Sequence, residues 1–214
     1  METVWIIGAG KFGIRAAKWL LNRDHAFEVT LVDQDQRSLE MAENLGCRVK
    51  VDEGICFLYK NLTRDTGPDW IVPAVPVHLA WEWCQRHLGK DRVTPWVLPQ
   101  GIGEVLPNPM NGAAGDIYVS HADFLCPPNC NEPDGKCTKT GQPRKQDMFR
   151  LLAGVDYKAV TPFVIQSVQL GPGVGGYRPC SLFDLAHRIS RHQGAFFTAT
   201  ACRCHGVISG GQTG

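Results

Sequence analysis

At 214 residues the chain has room for one large domain, or for a nucleotide-sized domain with a smaller appendage, and can bury a core without covalent staples. Its 22 basic and 21 acidic residues leave a formal net charge of +1, which excludes an electrostatic case for nucleic acid or an anionic membrane surface. No apolar run approaches the roughly 18 residues of a membrane insertion, and nine cysteines without a secretory leader pattern point to metal or redox chemistry in a reducing cytoplasm.

The first hundred residues alternate strand and helix. "VWII" at 4–7 is a short apolar strand, and 11–22 follows with Phe12, Ala16, Trp19 and Leu20 at helical spacing. A strand at 27–32, a helix at 36–45 stopped by Gly46, and a strand at 47–51 come next. Residues 53–62 read as a helix, although "ICFLY" can also extend. A strand at 69–72 ends at Pro73, a helix at 77–88 stops at Gly89, and 93–98 makes a fifth strand. This rhythm predicts an α/β fold, with a Rossmann-like doubly wound parallel sheet over residues 1–100 and helices on both faces.

After Pro99 the run "QGIGEVLPNPMNGAAG" reads as a long loop, which puts a boundary near residue 100. Residues 101–214 form a smaller α/β C-terminal region carrying a cysteine metal loop. Its expected elements are a strand at 116–124, a short helix at 146–153, a strand at 163–170, a helix at 181–190 and a strand at 195–201. The glycine-rich "GPGVGG" at 171–176, followed by Arg178, is either a second anion cradle or a tightly packed connection.

"VWIIGAGKFG" sets Gly8, Gly10 and Gly13 in G-x-G-x-x-G spacing between a strand and a helix. Gly8 permits the tight turn, Gly10 lets the backbone approach a pyrophosphate, and Gly13 lets the helix pack on the strand. The helix start, across Ala9, Lys11 and Phe12, offers N–H groups to the phosphates. Asp33 ends the second strand. Its carboxylate can bond both ribose hydroxyls and repels a 2′-phosphate, which favours NAD(H) over NADP(H); the alternative is that it only caps the next helix. Asp52 either lies at the adenine edge or caps the helix at 53. Ala74 and Val75, in "PAVP", follow the fourth strand, where a cofactor's nicotinamide side passes, unless the prolines merely end strand and helix.

The stretch "IIGAGKFGIRAAKWLLNRDHAFEVTLVDQDQRSLEMAENLG" resembles the nucleotide-binding domain of Trk-type potassium-uptake regulators, a similarity covering residues 3–100. The resemblance implies an NAD(H)-binding Rossmann domain with the nucleotide at Gly8, Gly10, Gly13 and Asp33. It does not extend to the second half or to potassium regulation.

Cys126, Cys130 and Cys137 are spaced C-x3-C-x6-C, and Cys202 and Cys204 form C-x-C before His205. Both groups follow predicted strands, so they can meet at one sheet edge. Four thiolates hold a tetrahedral zinc ion or a 4Fe-4S cubane. Neither pair has the C-x2-C knuckle of structural zinc, and three cysteines in a loop with a distant fourth is an iron–sulfur layout, with zinc, or a thiol/disulfide switch without a metal, or no site at all, as the alternatives. Alternation along a strand leaves the fourth ligand open between Cys202 and Cys204. His121 is a candidate neighbour of the centre. Cys47, Cys56, Cys84 and Cys180 read as small buried hydrophobes, and Trp81 and Trp83 as packing residues.

Together these features describe an NAD(H)-binding iron–sulfur protein, an oxidoreductase or an electron-transfer protein. The alternatives are a nucleotide- and redox-sensing module and an NAD-dependent dehydrogenase with structural zinc. The expected partner is an adenine dinucleotide, with a redox partner protein and a homodimer left open, and no nucleic acid.

Overall fold

The computed structural model describes residues 1–22 and 27–214. Four short strands, β1 (Thr3–Ile7), β2 (Glu28–Asp33), β3 (Arg48–Val51) and β4 (Trp70–Pro73), make a parallel sheet in the order β3-β2-β1-β4. Helices α1 (Lys11–Leu21) and α2 (Gln36–Glu43) connect the first three strands, and α3 (Gly54–Asn61) leads to β4. The period of two along β1 sends Val4 and Ile6 into a core with α1 and α2. Ile7 enters a second core with Phe57 and Leu58 of α3, so the sheet is covered on both faces.

Each early helix has a local cause. Asp35 accepts the N–H groups of Arg37 and Ser38 and caps α2; Glu53 does the same for α3 through Ile55 and Cys56. Gly13 packs α1 onto the strand end so closely that a Cβ there would lie 1.9 Å from the Gly8 carbonyl oxygen.

A second sheet is mixed. It contains β6 (Met110–Asn111), β7 (Ile117–Ser120), β12 (His205–Thr213), β11 (Gly194–Ala201) and β8 (Thr161–Gln166) in that order. The segment expected as a fifth parallel strand, β5 (Val93–Pro95), joins this sheet instead, antiparallel to the end of β12. The parallel β8 and β11 are linked across α6 (Pro179–Ser190), which packs with α4 (Leu79–Leu88). The opposite face carries α5 (Met148–Ala153) and a 3-10 helix over Gln100–Val105, inside the stretch read as loop. One hydrophobic core holds Ile7, Val32 and Ile71 together with Phe163, Leu182 and Phe196, so apolar packing is continuous across residue 100.

The strand expected at 163–170 breaks at Ser167 into β8 and β9 (Val168–Gly171), and β9 turns back as β10 (Val174–Gly176). The glycine-rich 171–176 run is therefore a β-hairpin turn and not a loop leading into a helix. Just beyond it, Ile71 and Tyr177 exchange backbone hydrogen bonds of 2.9 and 3.0 Å, which covers the outer edge of β4. Arg178 is committed there too. It stacks 3.8 Å over Trp70, pairs with Glu2 at 2.8 Å and donates to the Asp69 carbonyl, so its guanidinium ties this edge to the start of the chain. No helix among the described residues is long and apolar enough to cross a membrane.

Candidate functional site

The glycine turn lies at the carboxyl ends of β1 and β4, where the strand order reverses and open α/β sheets form a crevice. Gly8 adopts φ +108°, and a Cβ there would lie 2.5 Å from the Ala74 carbonyl oxygen. Ala74 donates to the Ile7 carbonyl at 2.8 Å, so Ala74 and Val75 wall the turn. Gly10 differs from its neighbours: it caps α1 with no side-chain hydrogen bond, and a Cβ there meets nothing within 4 Å. The turn thus leaves open space beside the free N–H groups of a helix start.

Asp33 reaches into this turn. Its Oδ2 accepts the Ala9 N–H and its Oδ1 accepts the Asp35 N–H at 2.9 Å. Capping of α2 belongs to Asp35, so a capping role for Asp33 is ruled out. Asp52 is likewise not the cap of α3, which is Glu53; it accepts the Glu53 N–H and pairs with Lys60 at 3.3 Å. Its own N–H donates to the Asp33 carbonyl, which sets the two carboxylates at one sheet edge. Lys11 and Phe12 are exposed on the first turn of α1, and Arg15 stacks on Phe12 at 5.0 Å.

The cysteine loop occupies residues 121–147, between β7 and α5. Arg144 pins it from inside. Only 5% of its side chain is exposed, and it donates to Asp147, to the Pro133 carbonyl at 3.1 Å and to the Lys136 carbonyl at 3.2 Å. Its second anchor is the turn between β11 and β12, closed by Cys202 N–H to the His205 carbonyl at 2.9 Å. There Cys204 donates its N–H to Glu132 at 2.9 Å, Arg203 pairs with Asp134, and the Cys204 carbonyl accepts from His121 N–H.

Cys126, Cys130, Cys137 and Cys204 line one cavity of about 640 Å³, with His121 and Arg144 in its wall. Cys202 is not part of that wall; the tight turn aims it elsewhere. All nine cysteines are free thiols. Burial raises the Cys126 pKa, and the neighbouring Cys130 and Cys137 add to the rise. Burial pushes Cys204 up to about 11 against the pull of the Arg144 guanidinium. The Thr140 hydroxyl lowers Cys137. His121 Nε2 is buried without a partner among the described residues. The isolated thiols divide: Cys47 and Cys84 are buried as expected, Cys56 is half-buried, and Cys180 is exposed.

A second cavity, of about 480 Å³, joins the two regions. Phe12 and Arg15 form one end, and Cys126, Cys130, Cys202, Cys204, Glu132 and His205 the other. The β9–β10 hairpin lies between them. A Cβ on Gly173 would lie 3.2 Å from the Pro128 carbonyl and 3.4 Å from the Arg15 guanidinium, and Gln169 donates to the Cys130 carbonyl at 2.8 Å. Glu132 and His205 have no part in the sequence's cysteine spacing. Only His205, adjacent to the C-x-C pair, gave a local signal.

The chain belongs to the family described as "Uncharacterized protein, C-terminal domain", whose model matches residues 80–214. That segment begins inside α4 and includes all the strands of the mixed sheet and the five clustered cysteines. The chain is also similar to an uncharacterized protein of Archaeoglobus fulgidus, 31% identical over 217 residues, covering 95% of this chain and 96% of the relative. No solved structure matches it.

Proposed function

We propose that this chain, with the rest of that family's segment behind it, is an NAD(H)-binding iron–sulfur protein acting as an oxidoreductase or electron-transfer protein. In this reading the amino-terminal sheet is Rossmann-like, with the dinucleotide at Gly8–Gly13 and Asp33. Cys126, Cys130, Cys137 and Cys204 hold a 4Fe-4S cluster.

The observation that carries the reading is the shared cavity. Thiols from two distant segments face one space, and a second cavity leads from it to the helix start at Phe12 and Arg15. The spacing supports a cluster over a single ion: neither C-x3-C nor C-x6-C is the C-x2-C knuckle of structural zinc, and three loop thiols with a distant fourth is an iron–sulfur layout.

A cluster bound there supplies one-electron transfer. The protein's own contributions are distinct. Arg144 and the Gln169 side chain hold the loop backbone, the flanking prolines limit its freedom, and Asp33 orients the turn through Ala9. NADH gives up two electrons as hydride, so the intervening cavity must accept a two-electron carrier or substrate; its volume is ordinary for a small-molecule site.

Anaerobic purification tests this. A brown protein whose visible band bleaches with NADH supports the oxidoreductase; a brown protein indifferent to NADH favours the nucleotide- and redox-sensing module. Cys204→Ser should lose its iron, while the exposed Cys180→Ser should keep it. A colourless protein, or iron retained in Cys204→Ser, overturns the cluster assignment.

A further inference from the structure

Glu132, Cys202 and His205 are left over once the four cavity thiols are assigned. They converge all the same: one ligand atom of each lies within 4.8 Å of the other two. Cys202 Sγ is 3.9 Å from His205 Nδ1, and it accepts the N–H groups of Cys204 at 3.4 Å and His205 at 3.3 Å. Two N–H groups aimed at one sulfur are the outer donors that a metal-bound thiolate accepts; burial and the Glu132 carboxylate raise the Cys202 pKa, so an ion bound there displaces the thiol proton. Glu132 sits at φ +47°, a left-handed conformation that costs a non-glycine residue energy. That bend brings its carboxylate to the Cys204 N–H and beside Cys202.

We infer that Glu132, Cys202 and His205 form a second metal site, for a single ion of the Zn(II) class, with its fourth position open to the 480 Å³ cavity. The inference goes beyond the dinucleotide and cluster reading and needs neither. The donor set is one oxygen, one sulfur and one nitrogen, a borderline-soft mixture suited to zinc. A structural zinc closes its shell with four protein ligands; three with an open place is the pattern of a catalytic ion. Tetrahedral donors at zinc distances sit roughly 3.3–3.8 Å apart, so the observed cluster needs only a small contraction. His205 is exposed, which leaves an ion's path clear.

The imidazole also links the two centres. Its Nδ1 faces Cys202, and its Nε2 lies 3.5 Å from Cys126 Sγ. With the ion on Nδ1, the proton stays on Nε2 and is donated to the Cys126 sulfur, the outer hydrogen bond that metal-bound histidines make. The open position takes water or a carbonyl or hydroxyl oxygen, and an ion there polarises that oxygen as a Lewis acid. The ligand class is thus a small oxygen-bearing molecule lying between the ion and the helix start at Phe12.

Cobalt(II) alone is the probe. The anaerobically purified full chain is treated with a mild chelator, titrated with cobalt and read by visible spectroscopy alongside iron analysis. The wild type should take up one cobalt with four-coordinate d–d bands and a thiolate charge-transfer band. Cys202→Ser should lose the charge-transfer band. His205→Ala and Glu132→Gln should lose the cobalt spectrum with unchanged iron; Glu132→Gln keeps an acceptor for the Cys204 N–H, and circular dichroism checks folding. Cys204→Ser should keep the cobalt site while losing iron. No cobalt uptake by the wild type, or uptake that survives both His205→Ala and Glu132→Gln, overturns the inference. Iron retained in Cys204→Ser with a cobalt site intact overturns the cluster reading alone.

Discussion

Gly10→Ala separates what the glycine turn does for the fold from what it does for a ligand. The three glycines of the motif are physically unlike. Gly8 has φ +108°, and its Cβ would sit 2.5 Å from a backbone oxygen; Gly13's would sit 1.9 Å from another. Neither obstacle is a flexible side-chain tip, so alanine at either place forces the backbone to move. Gly10 has φ −67° and ψ −171°, which any residue adopts, and nothing within 4 Å of a built Cβ. Alanine there reduces unfolded-chain entropy, a gain of about 0.4–1 kcal/mol, against the loss of a residue preferred at a helix N-cap, a cost of similar size. The net change in stability is therefore small, a melting shift of about 2 °C or less for a chain of this size. A pyrophosphate seated on the helix start would instead meet the new methyl. Overpacking of that kind costs about 1–3 kcal/mol, a Kd weaker by roughly 5- to 150-fold. Calorimetric titration with NADH and thermal unfolding by circular dichroism read the two quantities on one sample. Wild-type NADH affinity in a normally folded Gly10→Ala protein would refute the phosphate cradle.

Asp33→Asn keeps an oxygen for the Ala9 N–H and removes the charge that repels a 2′-phosphate. The preference for NADH over NADPH should narrow, and an unchanged ratio takes Asp33 out of the ribose site. His78 is buried, and burial lowers its pKa from 6.5 to about 3. The unfolded chain therefore takes up this proton first, so the stability is complete above about pH 6.5 and falls by about 1.4 kcal/mol per unit as pH drops toward the folded value. His78→Gln, which removes the titration, should flatten the slope of urea-unfolding free energy between pH 6 and 4 by that amount; an unaltered slope contradicts the assignment.

The front of the molecule was legible because its signals are local. The turn glycines, the carboxylate ending β2 and the apolar runs of β1, β2 and β4 each declare themselves within ten residues. The mixed sheet was not. Its central strand, β12, reads "HGVISGGQT", with three glycines and little strand propensity. Those glycines are there for close approach: a Cβ on Gly210 would lie 2.2 Å from the Trp96 carbonyl, and one on Gly211 2.4 Å from the Phe196 ring. Without β12 in view, the apolar run at 93–98 had no visible partner except the parallel sheet. The cysteine spacing singled out the thiols that line the cavity but could not choose between Cys202 and Cys204, because that depends on the turn that closes onto the His205 carbonyl. Glu132 was silent, since no spacing rule connects a loop carboxylate to a strand turn far along the chain.

The hydrogen bonds behind the second cavity fix a proton pattern that chemistry in that cavity has to respect. Ser209 Oγ donates its proton to the buried Asp116 carboxylate. It must therefore accept from His78 Nδ1, 2.7 Å away, which makes Nδ1 the protonated nitrogen and Nε2 the lone pair. Nε2 in turn accepts the Thr200 hydroxyl at 3.0 Å. Thr200 lines the cavity, so its proton points inward and its oxygen lone pairs point at whatever the cavity holds. Thr200 thus offers the cavity an acceptor and not a donor. A bound molecule that needs a proton does not obtain it through Thr200 from His78, which, with its depressed pKa, holds none to spare near neutrality.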